Sequence, residues 1–178
     1  LKKKLLIFDD GLQDRSIEYD LKFVCFDSNR WIGNGRLIPS GPLREKLVSL
    51  KKYDGVFLKG EEKKIAPLIK LIKKINTKIE IFITKYKVQN SNKFNKKNNF
   101  LIFSGIGNAN DFKEILLKNK FKVIKEIVYP DHYQYKGKDI KEIEDLAKKM
   151  KAQILTTEKD YVKVKLYTSK KIKFLKIN

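Results

Sequence analysis

The sequence predicts an α/β protein of two lobes with mainly parallel sheets, joined by an extended β linker, and three observations lead there. Short apolar runs ending in acidic or small polar residues alternate with segments of helical apolar spacing, the βαβα order of a parallel sheet with covering helices. The alternation breaks once, at a polar stretch without periodicity, and then resumes. A chain of 178 residues is long enough to bury a core, as one full domain or two small ones.

Taken in order, "KLLIFDD" (4–10), "LKFVCFD" (21–27) and "GVFLKG" (55–60) read as strands. "PLREKLVSLKKYD" (42–54) reads as a helix, with Pro42 near its start and Leu43, Leu47 and Leu50 on one side. "KKIAPLIKLIKKIN" (63–76) repeats that pattern through Ile65, Leu68, Ile69 and Ile72, and Pro67 costs little there if it falls in the first turn. "IEIFITKYKVQN" alternates like an exposed strand, and "NSNKFNKKNN" reads as loop or linker. Beyond it, "FLIFSGIG", "KVIKEIVYPDH" and "AQILTTEKD" read as strands with their trailing loops, and "NDFKEILLKNK" and "KDIKEIEDLAKKM" as helices. The expected organisation is a first lobe over 1–84, a linker over 85–98 and a second α/β lobe over 99–178, whose closing "KIKFLKIN" can return to pair with the linker strand.

Lys and Arg number 41 against 21 Asp and Glu, a formal charge of +20. Such a surface attracts RNA, DNA, nucleotides and anionic lipid head groups alike, and a composition in which Lys is the default exposed residue would give the same excess. No RNP, KH, zinc-finger or helix-turn-helix pattern is present, so no specific nucleic acid is expected, and a basic nucleic-acid-binding module stays as an alternative. Cys25 is the sole cysteine, which excludes an internal disulfide and a cysteine metal cluster and suits a reducing, cytoplasmic setting. No apolar run reaches the ~18 residues of a membrane-spanning helix, and no signal peptide is evident. Leu1 is not an initiator and the single methionine is Met150, so an N-terminally truncated or processed chain is expected.

In "LIFDDGLQDR", Asp9 and Asp10 follow an apolar run, where side chains beyond the carboxyl end of a parallel strand face a ligand. An apolar strand ending in Asp is how a Walker B motif holds Mg²⁺, an ion that takes hard oxygen donors and fills its shell with water and phosphate. An ordinary strand-to-turn junction at Gly11 uses the same letters. The phosphatase pattern of two aspartates separated by one residue fails, because Phe8 stands where its nucleophile belongs. Arg36 and Arg44 flank a loop stiffened by Gly33, Gly35, Gly41 and two prolines, a frame suited to bidentate phosphate contact; Arg44 and Glu45 can instead begin a helix and pair locally. Ser104, Gly105 and Gly107 lead into a helix capped by Asn108 or Asn110, either an anion-receiving loop or a tight connection. His132 is the sole histidine and lies between Asp131 and Tyr133 at a strand end.

The segments "DDGLQ", "NGRLIPSGPLRE", "FSGIGN", "YPDHYQY" and "LTTEKD" occur in this order, and together they resemble the tetraacyldisaccharide 4'-kinase (lipid A 4'-kinase, LpxK) family, with its DDGFQH, NGRLLPAGPLRE, GIGNP, PDHH-like and TEKD segments. The resemblance covers about residues 4 to 165. It implies a P-loop NTPase-like first lobe, here incomplete, and transfer of the ATP γ-phosphate to the 4'-hydroxyl of a lipid A disaccharide precursor. It implies Mg²⁺ on Asp9 and Asp10, and substrate or phosphate contact by Gln13, Arg36, Arg44 and Glu45. His132 would orient the aspartate base, with Asp131 setting its tautomer; Ser104, Gly105, Gly107, Asn108, Thr157, Glu158, Lys159 and Asp160 would line the cleft.

The implied location is cytoplasmic, peripheral to an anionic inner-membrane surface, and no protein partner is inferred. The chain departs from the family at Asp14, Ala109 and Tyr133, where the family has His, Pro and His. The family's Walker A loop and base aspartate lie upstream of its DDGFQ segment, and residues 1–178 contain no G-x-x-x-x-G-K-[ST]. The isolated chain is therefore expected to be inactive, and a catalytically incomplete remnant is the other alternative.

Overall fold

A computed structural model describes residues 4–14, 16–167 and 171–178 of the chain; Leu1 lies outside the described residues. The architecture is α/β, with two mainly parallel sheets in two compact units, Leu1–Lys85 and Tyr86–Asn178.

In the first unit β1 (Phe23–Asp27), β2 (Gly55–Lys59) and β3 (Glu80–Thr84) form a parallel sheet in that order. The helix α1 (Glu62–Ile75) connects β2 to β3 and buries Ile65 and Ile72 against Val56 and Leu58, with Leu50 completing the cluster. Each such fully buried aliphatic side chain stabilises the unit by about 1.5–3 kcal/mol. Period-two alternation sends Phe57 to the opposite face, between Phe23 and Phe82 at ring separations of 5.5 and 5.1 Å.

Three local expectations are corrected in this unit. Residues 4–10 form no strand: Leu5, Leu6 and Ile7 are exposed, and no neighbour supplies a ladder for their backbone among the described residues. Residues 42–54 are not an α-helix but a loop followed by a 3₁₀ helix over Leu47–Lys52, because the Leu43 N–H and C=O are committed to the Arg36 carbonyl and the Ile38 N–H. Pro67 sits in the second turn of α1 rather than the first, on its exposed side.

The second unit carries β4 (Asn99–Ser104), β5 (Lys122–Val128), β6 (Gln153–Thr157) and β7 (Ile172–Leu175) as a parallel sheet ordered β5-β4-β6-β7. Alternation along the buried β4 divides its residues between two cores. Phe100 and Ile102 join α2 (Ala109–Lys118) through Phe112 and Leu116 on one face. Leu101 and Phe103 join α3 (Gly137–Lys149) through Ile140 and Ile143, and α4 (Glu158–Val164) through Val164, on the other. The register between β4 and β5 shifts at Phe100/Leu101, where Ile124 is the extra residue; Val123 packs with the first core and Ile127 with the second. The stretch 86–98 is part of this unit: Phe94 is buried beside Phe100, Asn90 donates to the Phe174 carbonyl, and Val88 bridges Ile177 antiparallel.

Candidate functional site

In the first unit the Asp-Asp-Gly segment is a turn with defined supports. Asp10 adopts a left-handed backbone, φ 56°, which aspartate tolerates better than most residues. Gly11 follows where a Cβ would come within 2.8 Å of the Phe8 Cβ, so the close approach requires glycine. The Gly11 carbonyl accepts from the Tyr19 hydroxyl (2.7 Å) and the Asp14 N–H (2.9 Å), and the Tyr19 ring meets Phe8 edge-on at 5.5 Å.

Across 31 and 34 residues of sequence, Arg44 closes this turn: its Nη1 donates to Gln13 Oε1 at 2.7 Å and to Asp10 Oδ1 at 2.6 Å. Arg44 and Asp10 are 52% and 64% exposed at the side chain, so their pairing contributes little to stability, about 0–1 kcal/mol. What it does is fix the guanidinium beside the carboxylates. Arg44 therefore pairs with Asp10 and Gln13 rather than with Glu45, which accepts from the Tyr53 hydroxyl at 3.0 Å. Burial and the Glu45 carboxylate push the Tyr53 hydroxyl up to about 12.

Arg36 belongs to the same loop and is exposed; its N–H donates to Asn34 Oδ1. Asp14 accepts from both the N–H and the hydroxyl of Ser16, which hold its carboxyl below the usual range. Asp9 and Asp10 are both exposed. Beside this turn lies a groove of about 940 Å³ that Leu6, Phe8, Leu21, Phe23 and Phe57 help to line, with Asp10, Gln13 and Arg44 also on its wall. Among the described residues no cluster of three or more His, Cys, Asp and Glu could hold a metal, so a cation here would rest on the Asp9 and Asp10 pair with the amide oxygen of Gln13 nearby.

Sequence reasoning passed over Asp27, which ends β1 and pairs with Lys59 at the end of β2 at 2.6 Å. Burial pushes this carboxyl up, and the Lys59 contact and Arg30 charge more than offset it, holding it below the usual range. Its signal was available: an acidic residue at the carboxyl end of a parallel strand.

In the second unit the resemblance segments converge. His132 stands on a left-handed backbone, φ 60°, in a turn closed by the Tyr133 N–H donating to the Pro130 carbonyl at 3.1 Å. Asp131 Oδ1 accepts from the His132 N–H at 2.9 Å, and its Oδ2 is 3.9 Å from Nε2. Asp131 thus holds the backbone of His132 rather than fixing a ring tautomer through a hydrogen bond. Both are exposed.

Ser104 and Gly105 are buried and Gly107 is exposed; a Cβ on Gly105 would come within 2.9 Å of the Tyr135 hydroxyl and 3.3 Å of the Pro130 carbonyl. Gly107 lies against Asp131 in the same way, its Cβ position 3.1 Å from Oδ2. Asn108 is the N-cap of α2 by position, without a side-chain cap bond. The acidic Asp131 beside that loop is poor company for an anion, which favours the tight-connection reading.

Of the final segment, Glu158 and Lys159 are exposed, whereas Asp160 is fully buried. Asp160 Oδ2 accepts from the Gly105 N–H at 3.0 Å and from the Thr157 hydroxyl at 2.8 Å. It is therefore an internal anchor and not a lining residue. Tyr135, which sequence reasoning did not single out, is 5% exposed, and burial and the Asp160 carboxylate both hold its proton on.

The tetraacyldisaccharide-1-P 4'-kinase (LpxK) family model matches residues 1–178. The tetraacyldisaccharide 4'-kinase of Pelagibacter ubique (strain HTCC1062) is 49% identical over 173 residues, covering 97% of this chain and 55% of that protein. That of Rickettsia bellii (strain OSU 85-389) is 37% identical over 165 residues, covering 92% and 50%. The chain spans about half the length of the curated relatives it matches. Among solved structures, the "apo" form of LpxK from Aquifex aeolicus in complex with ATP aligns with TM-score 0.56 and 24% identity, over 94% of this chain and 50% of that one. That likeness shows a shared fold.

Proposed function

The chain belongs to the tetraacyldisaccharide 4'-kinase family, and we propose that it carries part of an ATP-dependent lipid kinase that transfers the γ-phosphate to the 4'-hydroxyl of a tetraacyldisaccharide 1-phosphate. The observation that carries this reading is the bridge from Arg44 to both Asp10 and Gln13. It sets a guanidinium and two adjacent carboxylates at one turn, the combination that neutralises and orients phosphate oxygens in phosphoryl transfer. ATP as donor is supported by the ATP complex of the Aquifex aeolicus protein.

Mg²⁺ fits the donor set: it is usually held by one or two carboxylates with water and phosphate oxygens completing its shell. Asp9 and Asp10 would hold it, and when bound it supplies charge neutralisation on the nucleotide phosphates. Arg44, itself held by Gln13, keeps the Asp10 carboxylate aimed, and its other N–H groups and the Gln13 amide offer donors to a phosphate. Glu45, tethered by Tyr53, would accept from a sugar hydroxyl of the substrate, and the exposed Arg36 would contact its phosphate. His132 would orient the base that accepts the 4'-hydroxyl proton, with Asp131 holding its backbone.

A charge of +20 supports location at the cytoplasmic face of an anionic inner membrane, each well-placed Lys contributing about 1 kcal/mol. Among the described residues no helix is long and apolar enough to cross a membrane; peripheral association is proposed on the charge alone.

The test is phosphate transfer from labelled ATP to the tetraacyldisaccharide 1-phosphate by the protein expressed from its complete reading frame. Arg44→Ala and Asp10→Asn should each lower turnover by about 100-fold or more, the usual cost of one transition-state contact. No transfer by the wild type, or near-normal turnover in both variants, would overturn the reading.

A further inference from the structure

Helix α4 of the second unit holds two loops at once. From its first turn, buried Asp160 accepts the Gly105 N–H at 3.0 Å and so fixes the glycine loop after β4. One turn on, Lys163 donates to the Tyr133 carbonyl at 3.3 Å and so fixes the residue that follows His132. The two anchors are themselves joined: Lys163 Nζ is 3.6 Å from Asp160 Oδ1, an oxygen with no hydrogen-bond partner, and 6.0 Å from the Tyr135 ring centre.

The loops they hold also touch each other, Gly105 against Pro130 and Tyr133, and Gly107 against Asp131. Asp160 is fully buried and the Lys163 side chain 20% exposed, so the pair is poorly screened and breaking one member leaves the other charge unmatched. Between these fixed points stands His132, exposed and on a left-handed backbone that costs energy to maintain.

We propose that Asp160 and Lys163 are positioning residues, a buried ionic clasp through which α4 sets the place of His132 by holding the loops on either side of it. This rests on the kinase reading only for what His132 does; the clasp itself rests on the contacts above. Its consequence is that the segment "TTEKDYVK" acts at a distance, through Gly105 and Tyr133, without touching a substrate.

The sole histidine makes the test direct, since its ring and backbone give single, assignable magnetic resonance signals in the 178-residue chain. Lys163→Met, of similar length but uncharged, should fold, shift the His132 ring and amide signals, and alter the coupling that reports its φ. Lys163→Arg, which keeps the donor, should restore them, and Val162→Ala on the exposed side of α4 should leave them unchanged. Asp160→Asn should raise hydrogen exchange at the Gly105 amide by about tenfold or more and move His132 as well. Wild-type His132 signals in a folded Lys163→Met chain, or failure of Lys163→Arg to restore them, would overturn the proposal. Absence of phosphate transfer by the complete protein would remove the kinase reading while these signals still decide the clasp.

Discussion

Thr157 offers a measurable stake in the second unit. It is 8% exposed, its hydroxyl oxygen accepts from the Asp160 N–H at 3.1 Å as the N-cap of α4, and its hydroxyl donates to Asp160 Oδ2 at 2.8 Å. Thr157→Val keeps the shape and removes both bonds. Losing the cap costs about 1 kcal/mol and losing a bond to a charged partner about 1.5–3 kcal/mol, so a loss of about 2–4 kcal/mol is expected. For a unit of this size each kcal/mol is worth about 4–8 °C, so Tm should fall by at least about 8 °C. Equilibrium unfolding in urea and by heat, followed by far-ultraviolet circular dichroism, measures it, with Thr157→Ser as the variant that keeps the oxygen. A Val variant within about 0.5 kcal/mol of wild type, or a Ser variant as unstable as Val, would refute the reasoning.

Three further outcomes follow from the first unit. Ile72→Ala, at a fully buried position, should cost about 2–5 kcal/mol in urea unfolding, whereas Leu71→Ala, 39% exposed, should cost well under half of that. Gly41→Ala would place a Cβ 2.8 Å from the Arg36 carbonyl carbon, a backbone atom that cannot step aside; thermal unfolding should show a loss of at least about 1 kcal/mol and the Arg44 loop should shift. Tyr53 has its hydroxyl raised to about 12, above the value of about 10 in an unfolded chain. Its contribution to stability is therefore fully present below pH about 10 and is lost as pH rises from there to about 12. Over that window the stability difference between wild type and Tyr53→Phe should shrink or reverse in urea titrations; a difference independent of pH would count against the Glu45 contact.

Much of this was legible in the residues because parallel strands buried on both faces are nearly continuous apolar runs, as "NFLIFS" is. The same logic misread residues 4–10, since an apolar run becomes a strand only when a neighbour accepts its hydrogen bonds, and local sequence does not say whether one does. Leu43, Leu47 and Leu50 have helical spacing, yet the Leu43 backbone was already engaged by Arg36 and Ile38, a tertiary fact. At the candidate site, Asp10, Gln13 and Arg44 were each marked by their segments, but their contact across 31 to 34 residues was visible only in three dimensions. Asp160 was marked for the wrong reason. Thr157 and Asp160 stand three apart at a helix start, the spacing of a capping box, which shows in the sequence the local cap bond but not the Gly105 contact, 55 residues away, that takes Asp160 inside.

The extra residue in β5 has a bearing on which changes of length the strand can take. Four positions apart on a regular strand, Val123 and Ile127 would share a side; with Ile124 inserted between them they serve opposite cores. The strand therefore changes parity midway, and the segment that leaves it toward His132 departs with the second parity, not the first. Removing Ile124 itself would leave Val123 and Ile127 three positions apart on a regular strand, still on opposite sides, whereas removing a later residue of β5 with the bulge kept would turn the side chains beyond it over. The bulge thus lets β5 carry one residue more than β4 without turning over the side chains that lead toward His132.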